Sequence, residues 1–475
     1  MNVRLLVVTL AVGLLARGES RSAAADAPLW QAGLAKVDIT PQVPLRLSGY
    51  GNRSEVSEGV EQRLFARALV IRRGETTLAL VSADIIGWPA TLVEEVIARR
   101  VAQECGIPRE CLALCATHTH TAPQLHGGLT NIFRAPLSDE QQAATRQYTD
   151  LLAQRVVASV QQALRELAPA RLLLGEGRAQ FAVNRRLVDN GVYRGFGVNR
   201  QGPVDHSLAV LAVYDADERL RGVVFNYACH CTTLGPGFNR VCGDWAGYAA
   251  EQLEAAFPKA VALCTIGCGA DANPEPRGEL SMAIAHGREA AAAVHSVLQR
   301  REALQPITQP PGAAYGTAAL PYALPSVEEL QARTDSSDVQ TARHAQYWLQ
   351  WHARHGKLPD HYPAPVQVWN FGGELTMVFL SGEVVVDYAL RLRRELQGER
   401  AEGGPYVWAT AYANDVFGYV ASERVRQEGG YEVDRSGIYY NLPGPWAAKT
   451  EDLLIGRVHE LVRQAAASSG AKRRP

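Results

Sequence analysis

Charge of one sign is what this chain lacks most clearly. Lys and Arg number 48 against 49 Asp and Glu, and no long run of either sign occurs apart from a short Lys472-Arg473-Arg474 tail. That balance gives no basis for a nucleic-acid partner or a polyanionic substrate. Beyond the first residues, no stretch is apolar and long enough to cross a bilayer. No internal repeat at solenoid or propeller period and no low-complexity linker divides the chain. CxxC spacing is missing, which argues against a thiolate metal cluster. HExxH is missing too. HxHxDH fails because Ala122 stands where its Asp belongs, and without GxSxG a serine hydrolase has no nucleophile elbow.

What is present describes a large globular chain. Its 475 residues are 47% apolar and 20% charged, room for two or three domains or one large α/β unit. Arg4, an apolar stretch over residues 5–16 and Ser22-Ala23-Ala24-Ala25 read as a signal peptide covering 1–25. The expected location is therefore secreted or periplasmic, the alternative being an uncleaved anchor. Export favours disulfides among the eight cysteines, all between Cys105 and Cys268. Cys105 and Cys111 flank a short Gly-Ile-Pro-Arg-Glu loop and form a plausible local pair. Cys229, Cys231, Cys242, Cys264 and Cys268 make a denser group.

Strand-like and helix-like stretches alternate. Short apolar runs at 78–81, 112–115, 208–214, 223–227, 261–266 and 375–380 read as strands. Amphipathic stretches at 92–104, 139–167, 247–256, 283–302 and 384–396 read as helices. The pattern predicts an α/β fold, a mixed sheet with flanking helices, in a single catalytic domain over 26–465 with a disordered tail at 466–475. Residues 303–365, rich in Pro, Gln and His with one helix near 341–355, read as an insertion or rim.

The polar residues of interest fall at the carboxyl ends of these strands, where α/β sheets build their sites. His118 and His120 follow one strand. On extended backbone, positions i and i+2 share a face, and two such imidazoles are half of a metal site or simply two satisfied loop histidines. His230 closes Asn226-Tyr227-Ala228-Cys229-His230, Asp271 and Asn273 follow a Gly-rich turn, and Glu383 follows 375–380 where a helix is expected to begin. His118, His230 and Glu383 together suit a hydrolytic zinc with an open position for water.

With these residues assembled, the chain resembles the neutral ceramidase family of zinc amidohydrolases over roughly residues 30–450. The marks are Gly33-Leu34-Ala35-Lys36-Val37-Asp38-Ile39-Thr40-Pro41, Ala116-Thr117-His118-Thr119-His120, Val183-Asn184-Arg185, Ala228-Cys229-His230 and Cys242-Gly243-Asp244-Trp245. Gly382-Glu383, Ala411-Tyr412-Ala413-Asn414, Gly418-Tyr419-Val420 and Gly429-Gly430-Tyr431-Glu432 complete them. The resemblance implies Zn2+ held by His118, His230, Glu383 and Tyr419. It also implies that His120, Arg185 and Tyr431 line the site and hold the scissile amide.

Two departures shape the expected chemistry. Where the family carries a serine in Gly-Asp-x-Ser-Pro, this chain has Asn273 in Gly269-Ala270-Asp271-Ala272-Asn273-Pro274. Asparagine is no acyl-transfer nucleophile but can donate to an oxyanion, so attack by zinc-bound hydroxide is the expected mechanism. The chain also ends soon after Tyr440-Asn441-Leu442-Pro443, so no C-terminal immunoglobulin-like domain is expected. The sequence therefore reads as a secreted amidohydrolase acting on N-acylsphingosine or a related N-acyl substrate. The partners expected are a small-molecule or lipid substrate, with transient contact at a membrane surface but no transmembrane segment and no nucleic acid. The alternatives are a zinc hydrolase of a non-lipid amide or ester, and a non-catalytic binding protein on the same scaffold.

Overall fold

Long buried strands organise the structure, a computed structural model that describes residues 30–397 and 405–469. The signal-peptide segment 1–25 lies outside the described residues. In the first half run β1 (Trp30–Asp38), β2 (Phe65–Arg73), β3 (Thr76–Ala83), β4 (Leu112–Ala116), β5 (Ala168–Arg178), β6 (Ala182–Asp189), β7 (Val192–Asn199), β8 (Ser207–Asp215) and β9 (Leu220–Tyr227). Then come β10 (Val261–Ile266), β11 (Ala272–Pro274), β12 (Gln305–Pro306), β13 (Gly312–Pro321), β14 (His361–Phe371), β15 (Leu375–Leu380), β16 (Glu383–Val384), β17 (Tyr406–Thr410) and β18 (Tyr419–Val420).

The main sheet has the order β10-β9-β8-β5-β1-β2-β3-β4, with β12 added along β5. The β10–β9 and β3–β4 pairs are parallel and the others antiparallel, so the sheet is mixed. Strand β4 ends this order yet is buried at every position, because its outer side meets the 412–414 segment: Ala116 N–H donates to Tyr412 O and Asn414 N–H to Leu114 O. The helices are α1 (Arg99–Cys105), α2 (Asp139–Arg165), α3 (Asp244–Ala256), α4 (Leu280–Gln299), α5 (Val327–Arg333), α6 (Val339–His355), α7 (Val386–Gln397), α8 (Glu423–Glu428) and α9 (Thr450–Ser468). Helix α2 packs on β1 and β2 through Leu152, Val156, Val160 and Ala163, a stripe at helical spacing, and starts at a Ser138–Gln141 capping box.

A second sheet, β13-β14-β15-β17, carries α9 on β13 and β14. It meets the main sheet where the site lies: Ala411 N–H donates to Ile266 O (2.9 Å) and Ala116 N–H to Tyr412 O (3.1 Å).

Residues 303–365, read as an insertion or rim, contain β13 and the start of β14, which pair in the second sheet. Helices α5 and α6 lie between these strands in the chain, and α6 is tied to neighbouring segments. Its His344 hydrogen-bonds Leu442 O (2.6 Å), and its Gln340 donates to Ile132 O (2.7 Å). The last helix runs through Ser468, since Ala465, Ala466 and Ala467 are strong helix formers, and the expected tail from residue 470 on lies outside the described residues. All eight cysteines are free thiols, and all except Cys105 are buried. The expected Cys105–Cys111 pair is not formed. Cys115, Cys229, Cys231, Cys264 and Cys268 belong to the apolar core, where burial pushes each thiol up.

Candidate metal centre

The strand ends deliver the site, but not with the local geometry expected of them. Strand β4 stops at Ala116, and His118 sits beyond it with φ 57, in the left-handed region. The His118/His120 pair is therefore not on extended backbone. The turn is pinned by Arg53, which donates to the carbonyls of Ser48 and His120. Gly49, at φ 87, makes room for it: a Cβ there would lie 2.4 Å from His120 Nδ1. Likewise β9 ends at Tyr227, so His230 stands in a loop. Its N–H donates to Ala272 O (3.0 Å), and Trp245 Nε1 donates to His230 O (2.9 Å). Glu383 does not open a helix, since α7 starts at Val386. It lies in β16, directly opposite Tyr419 of the parallel strand β18.

These four residues and His120 come together in a buried cluster. Glu383 Oε2 lies 3.1 Å from His118 Nε2 and 3.0 Å from His230 Nε2. Tyr419 Oη lies 3.3 Å from His230 Nε2, and His120 Nε2 lies 3.2 Å from His118 Nε2. Both His118 and His230 face carbonyls with Nδ1: Ile86 O for His118, and Gly269 O at 3.1 Å for His230. A carbonyl only accepts, so each Nδ1 carries a proton and each ring turns its Nε2 toward the Glu383 carboxylate. A cation between these atoms would be held by the carboxylate and both Nε2 atoms at once. Two ligands on one tetrahedral zinc at ~2.1 Å would lie roughly 3.4 Å apart, close to the separations seen. The donor set therefore fits a zinc ion. The ligating nitrogens of His118, His120 and His230 also lie within 4.8 Å of one another, which makes His120 a rival ligand.

The electrostatics follow from burial. Burial, then the neighbouring imidazoles, holds His120 well below the usual histidine value. Burial, with Arg185 next, lowers His230 to about 4. Burial alone would raise Glu383, but His118 and His230 outweigh it and hold the carboxyl well below its ordinary range. Burial raises Tyr419 well above the usual phenol value, and Arg185 only partly offsets this.

The remaining sequence-nominated residues also reach the site. Arg185 is buried, with its guanidinium 5.4 Å from the Tyr419 ring and 5.7 Å from the Tyr431 ring. The Tyr431 ring lies 5.4 Å from that of Tyr419. Asn273 Oδ1 faces Thr232 Oγ1 at 3.3 Å and Arg185 Nη1 at 3.5 Å, leaving its Nδ2–H donors for another partner.

Sequence reasoning missed two groups. Glu432 accepts from Arg185 (2.9 and 3.0 Å) and from Arg186, clamping both. Tyr440 donates to Glu383 Oε1, leaving Oε2 for the imidazoles. A carboxylate beside a site tyrosine, in Tyr431-Glu432, was the available signal for the first. Tyr440 had none beyond its place in Tyr440-Asn441-Leu442.

The fold and this cluster define a class: an α/β scaffold closing an imidazole–carboxylate centre at its strand ends. The chain belongs to the neutral/alkaline non-lysosomal ceramidase family, whose N-terminal part matches residues 30–267. It is 27% identical over 241 residues to the neutral ceramidase of Pseudomonas aeruginosa, a match covering 50% of this chain and 35% of that protein. It is 30% identical over 231 residues to the neutral ceramidase of Drosophila melanogaster, covering 47% and 32%. The matched region thus spans about a third of the length of these relatives. A crystal structure of the Pseudomonas aeruginosa neutral ceramidase superposes with a TM-score of 0.68 at 20% identity, covering 93% of this chain and 74% of that one. A structure of ceramidase complexed with C2 gives 0.67, also at 20% identity, covering 93% and 75%.

Proposed function

We propose that this protein is an exported, zinc-dependent hydrolase of the amide bond in an N-acyl lipid of the ceramide kind. The observation that carries this reading is the convergence of two Nδ1-protonated imidazoles on one carboxylate oxygen. His118, His230, Glu383 and Tyr419 would hold the ion, and zinc there supplies a Lewis acid and an activated water.

The chain's own residues supply the rest. Attack comes from water, because Asn273 has no nucleophilic atom. The Arg185 guanidinium and the Asn273 amide donate to the carbonyl oxygen as negative charge develops on it. His120, with Nδ1 lacking a partner among the described residues, takes up a proton and passes it to the leaving amine. Tyr431, against Arg185 and Tyr419, closes the site against bulk water.

An apolar neighbourhood supports a lipid rather than a sugar. Ile86, whose carbonyl holds His118, clusters with Leu129, Ile132 and Phe133, and Tyr439 and Tyr440 pack on them. Leu129 and Phe133 also line a cavity of about 350 Å³ together with Leu125 and Leu137. The names of the relatives support the same substrate class, and the residue 1–25 pattern supports export.

The test is turnover of zinc-loaded protein on ceramide, N-acyl amino acids, N-acetyl sugars and esters. Free amine from the N-acyl lipid, at kcat/KM about ten-fold or more above the sugar amides and esters, is expected. Preference for esters or N-acetyl sugars would overturn the substrate class.

A further inference from the structure

Exposed apolar side chains are concentrated in one place. Five of the thirteen large exposed hydrophobics among the described residues lie on the β6–β7 hairpin: Leu187, Val188, Val192, Phe196 and Val198. Its turn, Asn190-Gly191, has positive φ at both residues (51° and 73°), the type I′ geometry that closes a tight two-residue hairpin. Strand β7 is the free edge of the small sheet β11-β6-β7. Along it, Val192 and Val198 are each 47% and Phe196 51% exposed, and because register shifts against β6 break the strand's alternation, Phe196 shares the face of Arg186 and Tyr193 while Val192 shares that of Leu187. Leu187 packs where a side chain on Gly197 would point, so the opposite face of the tip is apolar too. A soluble edge strand normally carries charge or proline there, and an apolar one marks a contact surface.

We propose that this hairpin docks the protein on a lipid surface and delivers substrate from it to the metal centre. The inference rests on the lipid-amide reading above. Two observations select a lipid surface over a second protein copy. First, the patch is continuous with the site: the Phe196 ring lies 4.9 Å from the Tyr431 ring, and the Arg185 guanidinium lies 4.9 Å from Phe196. A lipid leaving the bilayer at Phe196 meets the residues that line the centre. Second, the charge fits an anionic interface. Residues 187–201 hold Arg194 and Arg200 against Asp189 alone, net +1, with Arg194 bridged to Asp189 at 3.5 Å, while Arg185 and Arg186 are occupied by Glu432 and Glu428. Apolar side chains flanked by arginine, with Tyr193 alongside, suit the headgroup boundary.

The test is sedimentation of the whole protein with vesicles of phosphatidylcholine and phosphatidylglycerol, wild type against Val192→Asp/Val198→Asp. Both valines are exposed, and neither is among the residues that form the centre. The wild type should bind, and the double variant should bind about ten-fold or more weakly. Its kcat/KM on a water-soluble short-chain N-acyl amide should match wild type, while turnover of vesicle-embedded substrate falls with binding. Equal vesicle binding by both proteins, or none by the wild type, would overturn the proposal. So would a concentration-dependent dimer that the variant abolishes without any vesicle binding. Hairpin-dependent vesicle binding without amide hydrolysis in either assay would instead refute the enzymatic reading and leave the docking surface standing.

Discussion

Asp415 is a buried carboxylate with only neutral donors on its side chain, accepting from the Tyr362 hydroxyl. Burial pushes its pKa up to about 7, whereas an unfolded aspartate titrates near ~3.9. Between these values the native chain keeps a proton that the unfolded chain has lost. This group's contribution to stability must therefore fall as pH rises from about 4 to about 7, then level off. Asp415→Asn should flatten that part of the stability–pH curve in chemical denaturation, and an unchanged slope would refute the assignment. Asp415 had no sequence signal. Neither did the left-handed His118, because the tertiary contacts that impose such conformations come from distant segments. Residue type alone was enough to nominate His118, His120, His230 and Glu383, since few side chains ligate metals.

At the scale of elements, the β6–β7 hairpin is tied to the 428–432 segment by two arginines. The family resemblance nominated Arg185 for the site and not its neighbour Arg186. The structure gives Arg186 a different place: it is 1% exposed and bonds Glu428, Glu432 and the Gly429 carbonyl. Arg186→Ala leaves the buried Glu432 half-paired and should cost about 3–5 kcal/mol by chemical denaturation. The exposed Arg219 is the proper neutral control. Arg185→Ala should lower kcat/KM about 100-fold, roughly 2.7 kcal/mol, with metal content retained. Equal, small effects of Arg185→Ala and Arg219→Ala on activity would remove Arg185 from the site.

Elements with strong apolar periodicity were legible: the strands at 261–266 and 375–380 stand as read, and α2 ends two residues early. The Gly- and Ala-rich β13 was not, because its strand character comes from pairing along β14 rather than from its own side chains. The two-residue β16 was hidden by the helix-like residues that follow it.

At the scale of the molecule, two sheets meet at one end, and each brings part of the centre. The loops after β4 and β9 of the main sheet bring His118 and His230, and the segments after β15 and β17 of the second bring Glu383 and Tyr419. The mixed α/β class and the family were legible because alternating strands and helices, and motifs in fixed order, survive low overall identity. The meeting of the sheets was not legible, because it depends on long-range backbone bonds such as Ala411 to Ile266. A metal at this junction would couple the two sheets as well as serve the chemistry. The most direct measurement is elemental analysis of the purified protein beside His230→Ala and Glu383→Gln variants. The account predicts about one zinc per wild-type chain and about a tenth or less in both variants, lost together with amide hydrolysis. Full zinc in either variant, or a fully active wild type free of metal, would contradict it.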